Sequence, residues 1–242
     1  MRIGLISDIH GNLVALDAVL AELDGAGADQ IICLGDLAVL GPQPADVIDR
    51  IRERGIPTVC GNTDAWLVPD HPLTAEPPDS AQTIDLTAWT AARLRPEHVT
   101  FLRELPMTIA IPLPDDRLLR AFHATPDSLD DITHASHPAG VGEWIGSELM
   151  TCGHTHVQGM WRVGDQLWLN PGSAGFPGVG PGTAGLPQNR DVDWVEFAVI
   201  DMREARTSVE LRRLAVDVDA MWATVRATDM PRQGWWRSRW IR

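Results

Sequence analysis

Met1-Arg2-Ile3-Gly4-Leu5-Ile6-Ser7 runs directly into Asp8-Ile9-His10-Gly11-Asn12. The first part is a short apolar run with β-branched residues, which reads as a buried strand; the second sets two metal-grade ligands where that strand ends. Asp8 and His10 are two apart, so in extended backbone their side chains leave on the same side, while Gly11 allows the chain to turn sharply toward Asn12. A carboxylate and an imidazole at that spacing suit a hard-to-borderline divalent cation such as Mn, Fe or Zn. Taken alone, an Asp-x-His at a strand end is more often a solvated cap than a ligand pair. Here the arrangement recurs, and the recurrence decides both the fold and the site.

Asn12 to Ala26 carries Leu13, Leu16, Val19, Leu20 and Leu23 at helical spacing and ends among Gly25 and Gly27. Gln30 to Leu34 predicts a second strand that empties into Gly35-Asp36. Gly41-Pro42-Gln43-Pro44 opens a helix whose apolar face is Val47, Ile48 and Ile51, with Gly55 closing it. Ile56 to Cys60 predicts a third strand, emptying into Gly61-Asn62-Thr63-Asp64. Three strand–helix repeats imply a parallel sheet with right-handed crossovers. In such sheets the ligand site lies beyond the carboxyl ends of the strands, so the three motifs converge in space.

Asp70 to Asp79 is Pro-rich and reads as a surface linker, with helices after it over Ser80 to Leu94 and Pro96 to Leu105. Met107 to Leu113 and Arg117 to His123 flank Pro114-Asp115-Asp116, a hairpin pattern belonging to a second sheet, with His123 at the end of its strand. Ala124 to His137 is polar and irregular, Ala139 to Ile145 predicts a short helix, and a strand from Glu148 to Cys152 empties into Gly153-His154-Thr155-His156. Next come a hairpin over Gln158 to Val163 and Leu167 to Asn170, then Pro171-Gly172-Ser173 and a Gly/Pro-rich loop to about Asn189. Asp193 to Asp201 and Ser208 to Leu214 read as a strand pair, and Asp217 to Ala227 as a helix. No second core emerges in this order. The reading is one α/β domain over 1–242, two sheets packed together with helices outside, and 231–242 as a C-terminal tail.

At 242 residues and 44% hydrophobic, the chain can fill a core. It has no apolar run long enough to span a bilayer and no basic-then-apolar leader, which predicts a cytoplasmic protein. Cys33, Cys60 and Cys152 are odd in number and lack a pairing pattern, which argues against a disulfide framework; each reads as a buried strand-end residue. A net charge of −13 repels nucleic acid and anionic membrane. A small anionic substrate stays open, because two bound divalent ions would invert the local field set by Asp8 and Asp36.

The donor set is Asp8, His10, Asp36, Asn62, His123, His154 and His156. A two-metal site needs a carboxylate able to bridge, further O and N donors for each ion, and open positions for water and substrate. Asp36, alone in its motif, is the natural bridge. Asn62 supplies a neutral carbonyl oxygen, and His154 and His156 can reach different metals.

The series Asp8-x-His10, Gly35-Asp36, Gly61-Asn62-x-Asp64, His123 and Gly153-His154-x-His156 resembles the calcineurin-like metallophosphoesterases. Within them it is most similar to the small bacterial and archaeal phosphodiesterase branch, which also has a Gly-Pro turn after the second motif and an Asn-Pro-Gly-Ser after the last, here Asn170 to Ser173. The resemblance runs from Met1 to about Ala227. It implies a four-layer αββα sandwich of two mixed sheets with helices outside. One metal would be held by Asp8, His10, Asp36 and His156, the other by Asp36, Asn62, His123 and His154. The implied ions are two divalent transition metals, Mn ahead of Fe, Zn or Ni. The implied catalytic set is Asp8, Asp36, Asn62, Asp64 and His123, and the implied reaction is phosphodiester hydrolysis by a metal-bridging hydroxide.

Two positions depart from the family pattern. Many relatives carry a His between the Asn and the acidic residue of the third motif, where it protonates the leaving group; this chain has Thr63. A threonine hydroxyl is no general acid near neutral pH, and such catalysis is typically worth about 100- to 10,000-fold. That favours diesters or other substrates with good leaving groups, or protonation through a bound water. Ala124-Thr125-Pro126 stands where relatives often have Gly-Ser-Pro, which bears on substrate contacts in that loop. The expected partner is a small phosphate ester, with no nucleic-acid polymer and no membrane. Competing readings are a phosphomonoesterase or protein phosphatase, a dinucleoside polyphosphate hydrolase, and a non-catalytic scaffold on the same fold.

Other features carry less. His134 and His137 suit a substrate rim better than a third metal site. His71 and His98 read as solvated. Gly178-x-Gly180-x-Gly182 lacks the adjoining helix a phosphate cradle needs. Trp235, Trp236 and Trp240 admit two placements, an intramolecular helix packed on the sheet or a subunit contact of a homodimer.

Overall fold

The computed structural model describes residues 1–114, 116–132, 149–176, 192–203 and 206–240. The predicted strand at the start is β1 (Arg2–Ile6), buried over all but its first residue because apolar layers cover both its faces. Asn12 caps the next element, α1 (Leu13–Gly25), its side-chain oxygen accepting the Ala15 N–H at 3.1 Å. Then come β2 (Gln30–Cys33) and α2 (Pro44–Glu53), the latter opened by a proline whose missing N–H costs nothing at a helix start. Asn62–Trp66 forms a short helix, α3, and Ala81–Ala91 and Pro96–Glu104 form α4 and α5. The second half supplies β3 (Thr108–Pro112), β4 (Leu118–Phe122), β5 (Leu149–Thr151), β6 (Gly159–Val163), β7 (Gln166–Asn170), β8 (Trp194–Arg203) and β9 (Arg206–Ala215). Two helices end the chain, α6 (Val218–Arg226) and α7 (Gln233–Arg237).

These strands make two mixed sheets. The first has the order β2-β1-β8-β9, the second β3-β4-β5-β7-β6. β1 and β2 run parallel, as the strand–helix repeats imply, but β8 joins the other edge of β1 antiparallel. The third predicted strand, Ile56 to Cys60, shrinks to a single parallel bridge between Cys33 and Thr58. Pro57 explains this, since it accepts from Cys33 N–H at 2.9 Å but has no N–H to extend a ladder. Both predicted hairpins, β3–β4 and β6–β7, are present in antiparallel register.

The core has three parts. Ile3, Leu5, Ile32 and Ile200 of the first sheet meet Leu119, Ala121, Leu149 and Leu169 of the second. The opposite face of the first sheet, through Val195, Phe197 and Val199, packs on α1, α2, α6 and the C-terminal segment. Phe122, Met150, Cys152 and Trp168 form a smaller cluster, with Trp161 stacked on Trp168. The C-terminal segment is part of this core, with Trp236 and Trp240 at 0% and 3% exposure. All three cysteines are free and buried, as read from the sequence.

His98 is not solvated: it is fully buried, its Nδ1 accepting from Arg95 N–H at 3.2 Å and its Nε2 lying 3.1 Å from Asp49 Oδ1. His71 is half-buried, its Nδ1 accepting from Leu73 N–H at 3.0 Å. Each ring accepts from a nearby backbone N–H, and His98 also faces the Asp49 carboxylate, partners that a residue-by-residue reading does not see. The predicted helix at Ala139 to Ile145, His134, His137 and the Gly178 to Gly182 run lie outside the described residues.

Candidate metal centre

Four of the five motifs read from the sequence sit in loops just past a strand, while Asn62, Thr63 and Asp64 lie in α3, and backbone hydrogen bonds tie the motif segments to one another. Asp8 and His10 donate their N–H groups to the carbonyls of Gly35 and Asp36, each at 3.0 Å, and Gly11 N–H reaches Leu37 at 2.7 Å. Gly153 N–H donates to His123 at 2.7 Å, joining the two motif loops of the second sheet. The turns are tight enough that Asp8, His10, Asp36, His154 and His156 all take left-handed backbone angles, with φ between 50° and 63°. Left-handed geometry costs an L-residue about 1–2 kcal/mol and persists only where the surroundings over-determine it.

Asp64 supplies much of that determination. It is fully buried, and its carboxylate accepts from Asp36 N–H at 2.8 Å, Leu37 N–H at 2.9 Å and Gly61 N–H at 3.0 Å. Burial and the nearby Asp36 charge push its pKa up to about 7 against the pull of those N–H donors. Asp64 is read from the motif as catalytic; in the structure both its oxygens face backbone N–H groups. Glycine is required at 61, where a Cβ would run into the Asp36 carboxylate and backbone nitrogen.

Three imidazoles are oriented in one way. His10 Nδ1 lies 2.9 Å from Val39 O, His123 Nδ1 2.7 Å from Leu34 O, and His156 Nδ1 2.7 Å from Phe176 O. A carbonyl can only accept, so in each ring Nδ1 carries the hydrogen and Nε2 turns a lone pair inward. Those lone pairs meet other acceptors. His10 Nε2 and His156 Nε2 are 3.1 Å apart, and Asp8 Oδ1 is 3.2 Å from His156 Nε2. Asp36 reaches both ways, with Oδ2 3.6 Å from His10 Nε2 and Oδ1 3.5 Å from His123 Nε2. Asn62 Oδ1 is 3.1 Å from His123 Nε2.

Acceptors facing acceptors in a buried space repel unless a cation or proton lies among them. Asp8 Oδ1 makes the point by itself: it is buried with no hydrogen-bond partner. Among the described residues two sets of ligand atoms cluster within 4.8 Å, Asp8–His10–His156 and Asp8–Asp36–His123, and Asp8 belongs to both. The donor chemistry, carboxylate oxygen with imidazole nitrogen, suits a divalent transition metal.

Titration behaviour reflects the same crowding. Burial pushes the Asp8 carboxyl up, but His156, His123 and His10 outweigh it and hold the group well below the usual range. Burial likewise opposes charge on every imidazole. At His123 the Asp36 and Asp8 charges win and raise the pKa, as Asp8 does at His156. At His10 and His154 burial wins and lowers the pKa to about 4, so both are neutral, ligand-ready bases at pH 7.

His154 differs from the other three. Its Nε2 lies 3.1 Å from Asp130 O, which leaves Nδ1 as its lone-pair nitrogen, and its ring packs edge-on to His123 at 5.1 Å. Its N–H donates to Asp8 Oδ2 at 3.2 Å. It stands beside the cluster and in neither three-residue set. Thr63 donates its N–H to Asp36 Oδ1 at 3.0 Å, and its buried hydroxyl has no partner. The residues that sequence reasoning missed act through backbone: Val39, Leu34, Phe176 and Asp130 each offer a carbonyl, a group every residue has. Ser173, noted only through its Asn-Pro-Gly-Ser run, donates its hydroxyl to Asp8 O at 2.8 Å.

Two packed mixed sheets with Asp and His converging at their strand ends define a class, and comparison agrees. A family model, the calcineurin-like phosphoesterase superfamily domain, matches residues 1–202, and the chain belongs to that family of metal-dependent phosphate-ester hydrolases. A Methanocaldococcus jannaschii protein, MJ0912, is 26% identical over 235 residues, covering 95% of this chain and 93% of that one. Phosphodiesterase YfcE of Escherichia coli K12 is 24% identical over 203 residues, covering 78% and 88%. The crystal structure of a metallophosphoesterase from Sphaerobacter thermophilus superposes with a TM-score of 0.72 at 25% identity, covering 98% of both chains. Among the described residues no helix is long and apolar enough to cross a membrane.

Proposed function

We propose that this chain is a two-metal phosphoesterase that hydrolyses small phosphodiesters in the cytoplasm. The observation that carries it is the pair of buried ligand sets of inward-facing acceptors, with Asp36 reaching toward His10 Nε2 through Oδ2 and toward His123 Nε2 through Oδ1. Asp8, His10, Asp36 and His156 would hold one ion, and Asp36, Asn62, His123 and His154 through Nδ1 the other. Mn fits this mixed oxygen and nitrogen set, as do Fe, Zn and Ni. Held by these residues, two such cations would supply a lowered pKa for a bound water and positive charge against the phosphoryl oxygens.

The chain's own residues set the geometry for that chemistry. The carbonyls of Val39, Leu34 and Phe176 fix the tautomers and aim Nε2 inward. Asp64 holds the Asp36 loop against Gly61. Thr63 brings a hydroxyl with no partner but no acid group to protonate a departing alkoxide. Substrates whose leaving group needs little protonation are therefore favoured, and the phosphodiesterase relative supports that direction.

The test uses chelator-stripped protein with and without added Mn, on a matched chromogenic phosphodiester and phosphomonoester. Mn-dependent diester cleavage with little monoester cleavage is expected. Equal or better monoester cleavage would remove the leaving-group argument and leave the metal reading standing; absence of Mn binding would remove both.

A further inference from the structure

Phe176 touches the centre twice. Its carbonyl accepts from His156 Nδ1 at 2.7 Å, and its ring lies edge-on to His10 at 5.9 Å and 75° and to His156 at 6.5 Å and 86°. Its backbone is fixed by Ser173, whose hydroxyl accepts the Phe176 N–H at 2.8 Å while donating to Asp8 O. The ring of Phe176 also stacks on Trp235 of α7, with centroids 5.7 Å apart and planes 28° apart. Arg239 places its guanidinium 4.8 Å from the Trp235 ring centre. Trp236 and Trp240, buried beside it, anchor that helix in the core it shares with α1 and α6. His123 is braced from elsewhere, by Leu34 O and the His154 ring.

We propose that Trp235 is a positioning residue for one half of the metal centre: by stacking on Phe176 it fixes His10 and His156, while the His123 half is independent of it. The inference rests on the two-metal reading above. A side chain more than 200 residues from Asp8 in sequence would thus set the ligand geometry there. Groups that orient metal ligands typically contribute about 10- to 100-fold in metal affinity.

The test is a Mn titration of the chelator-stripped full chain, reading free Mn by electron paramagnetic resonance and fitting two sites. In Trp235→Ala one site should weaken about tenfold and the other stay within about twofold, with Trp235→Phe restoring the weakened site. If Trp235→Ala does not fold, Trp235→Leu, which keeps apolar volume without a ring, is read in the same way. A role in stability alone would lower the unfolding midpoint of the metal-free protein and leave the two affinities unchanged, or weaken both together; either result overturns the inference, as does failure of Phe to rescue. Wild-type protein binding no Mn would overturn the two-metal reading itself, which is a separate outcome.

Discussion

At the scale of single residues, the centre depends on which atoms a side chain faces. Asp64→Asn keeps the size of the side chain but sets an NH2 against backbone N–H groups that now find a carboxylate. Leaving buried donors unpaired costs about 1–3 kcal/mol. The variant should lose about 2 kcal/mol of stability in urea unfolding and retain less Mn after dialysis than wild type; an unchanged midpoint would contradict the clamp. Of the seven donors read from the sequence, Asp8, His10, Asp36, His123 and His156 come together in the structure, and these were legible because Asp and His at strand ends are uncommon in combination. The backbone partners of Asp64 were not, since a motif specifies residue type and spacing but not orientation. Left-handed angles at Asp8 and His10 were equally hidden, because neither residue announces them as glycine does.

Elements are joined by contacts of their own. Asp49 on α2 accepts from Arg95 Nη2 at 2.9 Å and faces His98 Nε2 at 3.1 Å, linking α2 to the first turn of α5. Partial burial pushes the Asp49 carboxyl up, but Arg95 and His98 outweigh it and bring the pKa below the usual value. A depressed carboxyl contributes stability above its unfolded pKa, near 3.9, and loses it as pH falls through the lower folded value. Asp49→Asn should therefore be less stable than wild type at pH 7 by about 0.5–1 kcal/mol, with the difference closing below about pH 4. Equal differences at pH 7 and pH 3 in thermal unfolding would contradict this. Longer elements could be read from period and punctuation, as in α1 and the hairpin at Gly164-Asp165. The five-residue helix α3 could not, because it is too short to display a period, and α7 was reached only as one of two placements for its tryptophans. Pro57 was visible, but its consequence depends on the strand lying at the sheet edge.

For the whole molecule, a metal held at the centre would be linked to the fold. A cation that binds only the folded chain stabilises it by about 2.7 kcal/mol at one hundred times its dissociation constant. Chelator-stripped protein should therefore unfold at lower temperature than Mn-loaded protein, and restoring Mn should reverse the shift; coincident transitions would argue against a buried cation site. The sequence order suggested two sheets, yet it did not disclose that β8 pairs beside β1, because pairing between distant strands leaves no local pattern.

That pairing has a consequence for how the protein is made. Strand β1 leaves the ribosome ahead of β2 and gains it soon after, but its other edge has no partner until Trp194–Arg203 has been synthesised. At about 5–20 residues per second the wait is roughly 10–40 s. Throughout it, an apolar strand edge and the Asp8–His10 turn are exposed to whatever else is nearby, so nascent chains of this protein should depend on early chaperone cover more than the mature protein does.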